Sequence, residues 1–291
     1  MRTDLLRHPV FVLLLASIAW GCTWWPLKQV AAMGVGGVPQ ILVAYGTVAL
    51  LMLPLLLLQY TRWRPEAHYL LLVFLLGGAA NLAFAWSLLL GDVVRVMVLF
   101  YLLPVWSVLG GRFFLGERID ALRGVAVAMS LTGAFLVLGG PSVLAAPPSW
   151  IDLAAIASGF LFAMNNICFR AAQQAPLASK VGATFAGCAL FAALLIAGGA
   201  QSMPEGVPGS SWGFAAGLGL LLLCVTLGSQ YGVTHLEAGR ASVIIIVELL
   251  TATLTAAWWA GDTLHGVEWI GGALILVAAV LEARRPTTDT A

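Results

Sequence analysis

Charge is what this chain has least of: lysine, arginine, aspartate and glutamate make up 9% of its 291 residues, against about a quarter in soluble domains. The net charge of +1 gives no basic surface for nucleic acid. Cysteine is equally scarce, and Cys22, Cys168, Cys188 and Cys224 all fall inside apolar runs. They read as small buried hydrophobes, not as a disulfide framework or a metal site. The four histidines, His8, His68, His235 and His265, lie at the ends of apolar runs or between them, and none stands four residues from another. No zinc-protease helix is present, no Gly-x-Ser-x-Gly elbow and no phosphate-binding loop. Enzyme chemistry therefore has no foothold. No cofactor or metal is expected, and ATP does not drive the protein directly.

What is abundant is hydrocarbon: 61% of the residues are apolar. One globular core cannot hide that much leucine, alanine and valine, so it must face lipid. A helix needs roughly 20 apolar residues to cross a bilayer core about 30 Å thick. Ten runs qualify: 9–32, 38–58, 69–89, 93–115, 121–140, 150–171, 178–199, 211–233, 238–260 and 266–283. Turn chemistry separates them, as at Gly34, Gly36, Gly37 and Pro39, and at Gly139-Gly140-Pro141, a glycine exit followed by proline. The first run carries Trp24-Trp25-Pro26 and Lys28 where a signal-peptide cleavage site would stand, so it is expected to be retained. Every connection is short, leaving no room for a soluble domain.

The few charges set orientation and reveal a repeat. With the N-terminus in the cytoplasm, twelve of the fourteen basic residues fall at inner loops or helix ends, leaving Lys28 and Arg95. Both termini are thus expected inside. Sliding residues 91–140 onto 236–283 by about 145 positions superposes Asp92 on Glu237, Arg95 on Arg240, Gly116-Glu117 on Gly261-Asp262 and Trp86 on Tyr231. The expected fold is an all-α integral membrane protein of ten transmembrane helices, built as two five-helix repeats over 1–141 and 149–285. Five is odd, so the second repeat enters the membrane inverted. Inverted repeats recur in secondary transporters, with the substrate site near the midplane between the halves.

Several motifs resemble the EamA-type branch of the drug/metabolite transporter superfamily. These are Trp20-Gly21 with Lys28, Leu103-Pro104, Leu115-Gly116-Glu117-Arg118, and the Glu248 and Gly261-Asp262 positions of the ninth run. The resemblance covers the whole chain and is greatest to the bacterial aromatic amino acid exporters. It implies ten helices around a central cavity, alternating access and a multi-pass protein of the bacterial inner membrane. Two departures stand out: Leu249 occupies the usual proline position, and Asn165-Asn166 and Arg170 stand where the first repeat has Thr23-Trp24 and Lys28.

Few residues could contact a substrate. Trp20, Trp24 and Lys28 follow at i, i+4 and i+8 along one helix face. They suit an aromatic ring with a carboxylate beyond it, or else form an interfacial belt with a snorkelling lysine. Lys28 lies roughly 28 Å along its helix, which favours the interface. Asn81, Tyr101, Trp106, Asn165 and Asn166 interrupt apolar runs, so each faces a wet cavity or another helix. The two asparagines sit about 100° apart, so at most one points straight into a cavity. Asp92 and Arg95, like Glu237 and Arg240, are spaced to pair within a turn as scaffold. Gly213 and Gly217, and Ser107 and Gly111, are expected to let helices approach closely.

Glu248 differs, because its counterpart in the first repeat is Leu103. A feature present in one copy serves a ligand more readily than a symmetric scaffold. Together these features lead us to expect a secondary transporter that exports small amphipathic metabolites, aromatic and other neutral amino acids first. Glu248 and Lys28 are its candidate gating or coupling charges. The alternative is an exporter of drugs or lipophilic cations, with Glu248 as counter-ion. The expected partners are the substrate and the lipid bilayer; one copy holds both repeats, so an oligomer is not required.

Overall fold

The structure, a computed structural model, describes residues 8–141, 147–259 and 265–285; Arg2, Arg7 and Gly261-Asp262 lie outside them. Helix follows helix, with no strand among the described residues. The first span joins α1 (Pro9–Cys22) to α2 (Trp24–Ala32), and α3 (Val38–Leu58) is the second. The third comprises α4 (Tyr60–Trp63), a 3₁₀ turn (Arg64–Glu66) and α5 (Ala67–Leu90). The fourth joins α6 (Val93–Phe100) to α7 (Leu103–Phe114), and α8 (Ala121–Val137) is the fifth. Then come α9 (Trp150–Ala171), α10 (Leu177–Ala197) and α11 (Gly209–His235). The ninth joins α12 (Ala238–Ile245) to α13 (Val247–Trp259), and α14 (Gly266–Ala283) is the tenth. Among the described residues nine spans are long and apolar enough to cross a membrane; α8, at 17 residues, is a shorter apolar helix. The protein is a multi-pass membrane protein. The expected spans match these helices to within a few residues, except the third, whose helical stretch begins at Tyr60.

Three spans break, and two of the breaks have a proline as their cause. Pro26 has no N–H for the Cys22 carbonyl, and the chain re-forms around Thr23, whose N–H and hydroxyl donate to Trp20 O at 2.9 and 2.7 Å. Pro104 likewise leaves the Phe100 carbonyl without its helical donor. That oxygen points at Gly159, where a Cβ would stand 2.5 Å away, so only glycine admits it. The third break has no proline. At Ile246 the chain tightens into one turn in which Leu249 N–H donates to Ile246 O at 2.9 Å, a bond the expected proline could not make. Gly139 and Gly140, at φ 103° and 58°, end α8 in the left-handed region that only glycine enters freely.

Packing couples the two halves of the chain. Span one lies against eight and nine, two against seven and eight, three against six and seven, four against six and nine, and five against ten. Replacing each span by the one five places away leaves these principal pairings unchanged, while the smaller contacts of six with eight and five with nine have no exchanged counterpart of similar size. Spans five and ten meet through reciprocal glycines: a Cβ on Gly133 would stand 2.6 Å from Gly271 O, and one on Gly271 equally close to Gly133 O. Close approach occurs there, at Gly187 on Phe74 O and at Gly219 on Ala44 O. It does not occur at Gly213 and Gly217, where a Cβ would meet nothing within 4 Å. Those two glycines lie one turn or two from the start of α11, on a face that no neighbouring helix covers. Gly111 does meet span nine, with its Cβ position 3.3 Å from Ala238 Cβ. Of the cysteines, Cys168 and Cys188 are buried as expected, whereas Cys224 is exposed on span eight.

Candidate functional site

The breaks in spans four and nine bring two polar side chains together. Tyr101 lies eight residues into span four and Glu248 ten into span nine, about 12 and 15 Å along helices that need about 30 Å to cross. Both therefore sit near mid-membrane. The Tyr101 hydroxyl donates to Glu248 Oε1 at 3.0 Å. Tyr101 is almost wholly buried, while Glu248 keeps some accessible surface. No other hydrogen bond to the Glu248 carboxylate occurs among the described residues, so Oε2 is left for a ligand or water.

Three elements hold this pair in place. Span one runs against span nine at Gly21: a Cβ there would overlap the Glu248 carbonyl oxygen and stand 2.6 Å from Thr251 Cβ. An aromatic cluster lies beside Tyr101. Phe100 is centred 4.6 Å from Phe84, 5.4 Å from Tyr101 and 5.8 Å from Phe162, joining spans three, four and six. Across Tyr101, a groove of about 290 Å³ opens between spans four and five, bounded by Val98, Leu102, Leu131, Thr132, Ala134 and Phe135.

The other candidate residues fall into separate groups. Trp24 donates from Nε1 to Thr255 Oγ1 at 2.9 Å and lies 6.4 Å from Trp259, with Lys28 Nζ 5.4 Å above its ring. Lys28 is exposed and Trp20 half-buried against the main apolar core. Asn165 and Asn166 are both buried and diverge. Asn165 Oδ1 faces Gly77 of span three, and Asn166 Oδ1 accepts from Gln230 Nε2 of span eight at 3.3 Å. Asn81 donates to Gly77 O at 3.4 Å beside a void of about 10 Å³ between spans two, three and seven, near the lower limit for one water. Trp106 packs edge-on against Phe160 at 5.7 Å. Five buried polar atoms of spans one, four, six and eight have no hydrogen-bond partner: Ser17 Oγ, Trp106 Nε1, Ser107 Oγ, Asn165 Oδ1 and Gln230 Oε1.

Two ionic assemblies tie the spans together. The guanidinium of Arg95 lies on Asp152 of span six, with Nε and Nη2 each 2.7 Å from a carboxylate oxygen, while Asp92 caps its own helix through Arg95 N–H at 2.9 Å. The arginine thus reaches across helices instead of being used up within its turn. At the other end of spans four and nine, Arg123 is buried among three glutamates. It hydrogen-bonds Glu237, and lies 3.9 Å from Glu117 and 3.7 Å from Glu282. Glu117 accepts the Ala238 N–H on both oxygens, at 2.8 and 3.0 Å, and so caps α12, the half-helix that leads to Glu248. Burial pushes the Glu117 carboxyl above the ordinary range, against the pull of that N–H and of Arg123. Asp120 is held below it by two hydrogen bonds from Arg285, at 2.5 and 2.9 Å. The sequence marked Arg123 only as a basic residue at an inner loop; nothing in it linked Asp152 to Arg95 or Glu282 to Arg123, which lie 57 and 159 residues away in the chain.

A bundle of apolar spans with helices broken at mid-membrane around one acid is the build of a membrane transporter. The EamA-like transporter family matches the chain twice, over residues 8–139 and 149–283, and the chain belongs to that family. A relative from Archaeoglobus fulgidus, described as an uncharacterized transporter, is 27% identical over 194 residues, covering 66% of this chain and 68% of its own. A solved crystal structure superposes with a TM-score of 0.70 at 20% identity, over 95% of this chain and 99% of its own. At that identity the likeness is one of fold.

Proposed function

We propose that the protein is a secondary transporter of the bacterial inner membrane that exports small amphipathic metabolites, aromatic and other neutral amino acids first, by alternating access around Glu248. The observation that carries this reading is the meeting of two broken spans at Tyr101 and Glu248, beside an aromatic cluster. An unpaired acid at that depth costs about 2.5–3.5 kcal/mol, and such acids are usually functional. The exchange symmetry of the principal span pairings, and the reciprocal Gly133–Gly271 contact, support an inverted two-fold relation between residues 1–141 and 149–285. The second reading, export of drugs or lipophilic cations, draws on the same carboxylate and rings.

Two experiments test the proposal. In proteoliposomes, release of labelled tryptophan, threonine and a quaternary ammonium dye is measured with and without a pH gradient. Glu248→Gln, which keeps the Tyr101 hydrogen bond but not the charge, should slow release of the carried substrate by about tenfold or more. A parent rate across pH 5.5–8 would make Glu248 a packing residue. For topology, single cysteines in a cysteine-free background should label from outside at Gly36, Ser202 and His265, and not at Arg64 or Arg118. Labelling of all five from one side would sink the inverted repeat.

A further inference from the structure

Among the described residues, the site at Glu248 offers a place for an ammonium and no free cation for a carboxylate. All fourteen basic residues can be assigned a place in the chain. Arg95 stands six residues before Tyr101, about 9 Å of helix away, and is occupied by Asp152. Arg240 stands eight residues before Glu248, about 12 Å away, and donates to Ala283 O. Lys28 lies seven residues past Gly21, about 10 Å, and is exposed. Lys180 donates to Phe169 O, Ala172 O and Thr234 Oγ1, and Arg170 to Thr234 O. Arg123 and Arg285 belong to the glutamate cluster; the others lie at span ends or in connections, with Arg2 and Arg7 before the first span. The ammonium and carboxylate of an α-amino acid are only about 2.5 Å apart, so none of the described cations stands close enough to hold the second group while Glu248 holds the first.

Backbone donors at the breaks are largely engaged. A broken helix can bind an anion on free N–H groups, but four of those around Tyr101 and Glu248 already have acceptors. Leu102 N–H donates to Leu99 O, Val105 and Trp106 to Leu102 O, and Leu249 to Ile246 O, while Pro104 has none to give. Acceptors, by contrast, are in surplus. Glu248 Oε2 is free, and Ser17 Oγ is buried without a partner. Ser17 lies one turn before Gly21, and Gly21 abuts Glu248 and Thr251, so Ser17 comes level with the break at Ile246. Two free oxygens, with no unengaged cation beside them among the described residues, match a primary ammonium, which has three N–H bonds to give. A quaternary ammonium has none.

We propose that this site takes a primary monoamine on an aromatic or aliphatic body, and discriminates against the corresponding α-amino acid. The inference rests on the transporter reading of Glu248, keeps small amphipathic metabolites as its substrate class, and puts amines ahead of amino acids within that class. It is tested by equilibrium binding of labelled tryptamine to the purified protein in detergent, competed by unlabelled tryptamine, tryptophan and N,N,N-trimethyltryptammonium. Tryptophan and the trimethyl compound should each compete at least about tenfold more weakly than tryptamine. Glu248→Gln, checked for monodispersity, should lose tryptamine binding, and Ser17→Ala should weaken tryptamine severalfold without changing the trimethyl compound. Equal competition by tryptophan or by the trimethyl compound overturns the inference, as does absence of tryptamine binding. If tryptophan binds instead and Glu248→Gln abolishes it, the transporter site stands and only the amine preference falls. Tryptamine binding that survives Glu248→Gln puts the site elsewhere and overturns both.

Discussion

Arg123→Met is expected to destabilise the protein by about 3–5 kcal/mol, the cost of stranding buried partners of a removed charge. Arg123 is 1% exposed and gathers Glu117, Glu237 and Glu282, themselves 5%, 15% and 0% exposed. Methionine fills the volume and takes from three carboxylates the cation they share, leaving Arg285 beside Glu282 at 3.4 Å. The loss should depend on pH with a definite sign. Burial already raises the Glu117 carboxyl, and removing Arg123 takes away one of the groups that lower it. A carboxyl whose folded value lies above its unfolded one favours the folded state below that unfolded value, and the benefit is lost as pH rises through the folded value. The deficit of the variant should therefore shrink as pH falls from 8 towards 5. Thermal unfolding in detergent at several pH values measures this. A variant within about 1 kcal/mol of the parent at pH 8 would show the cluster to be energetically neutral, as some buried ion networks are.

What the sequence made legible follows from the physics of the bilayer. Lipid demands long apolar helices, so span bounds were readable wherever Gly, Pro or charge interrupted the hydrocarbon. Pro26 and Pro104 account for two of the breaks, because each lacks the N–H that a continuous helix requires. The break at Ile246 was not legible: Leu249 is an ordinary helix residue, and the turn lies where Gly21 and Tyr101 meet span nine. The divergence of Asn165 and Asn166 was legible from helix geometry alone. The pairing of Arg95 with Asp152, and of Arg123 with Glu237 and Glu282, was not, since long-range ion pairs leave no periodic trace. Glycine spacing misled at Gly213 and Gly217, because close approach depends on which face a neighbour covers.

Gly21→Ala is the other substitution with a large expected effect, and it connects packing to the site. In an exposed helix interior, alanine for glycine stabilises by about 0.5–1 kcal/mol. Gly124 of α8 provides that reference, since a Cβ there meets nothing within 4 Å. At Gly21 the added methyl overlaps the Glu248 carbonyl oxygen, and stands 2.6 Å from Thr251 Cβ and 3.0 Å from Ala252 N. Most of these atoms are backbone, so span nine itself must move rather than one side chain. Such overpacking costs about 1–3 kcal/mol, which reverses the sign seen at Gly124. The displacement falls on the turn that aims Glu248 at Tyr101, held by a hydrogen bond of 3.0 Å that tolerates little lengthening. Gly21→Ala should thus lower both the unfolding temperature and the affinity for the amine, whereas Gly124→Ala raises the first and leaves the second unchanged. Paired unfolding and tryptamine-binding measurements on the two variants decide the matter. A Gly21→Ala protein as stable as Gly124→Ala, with the parent affinity, would show that spans one and nine do not meet as closely as this arrangement of Glu248 requires.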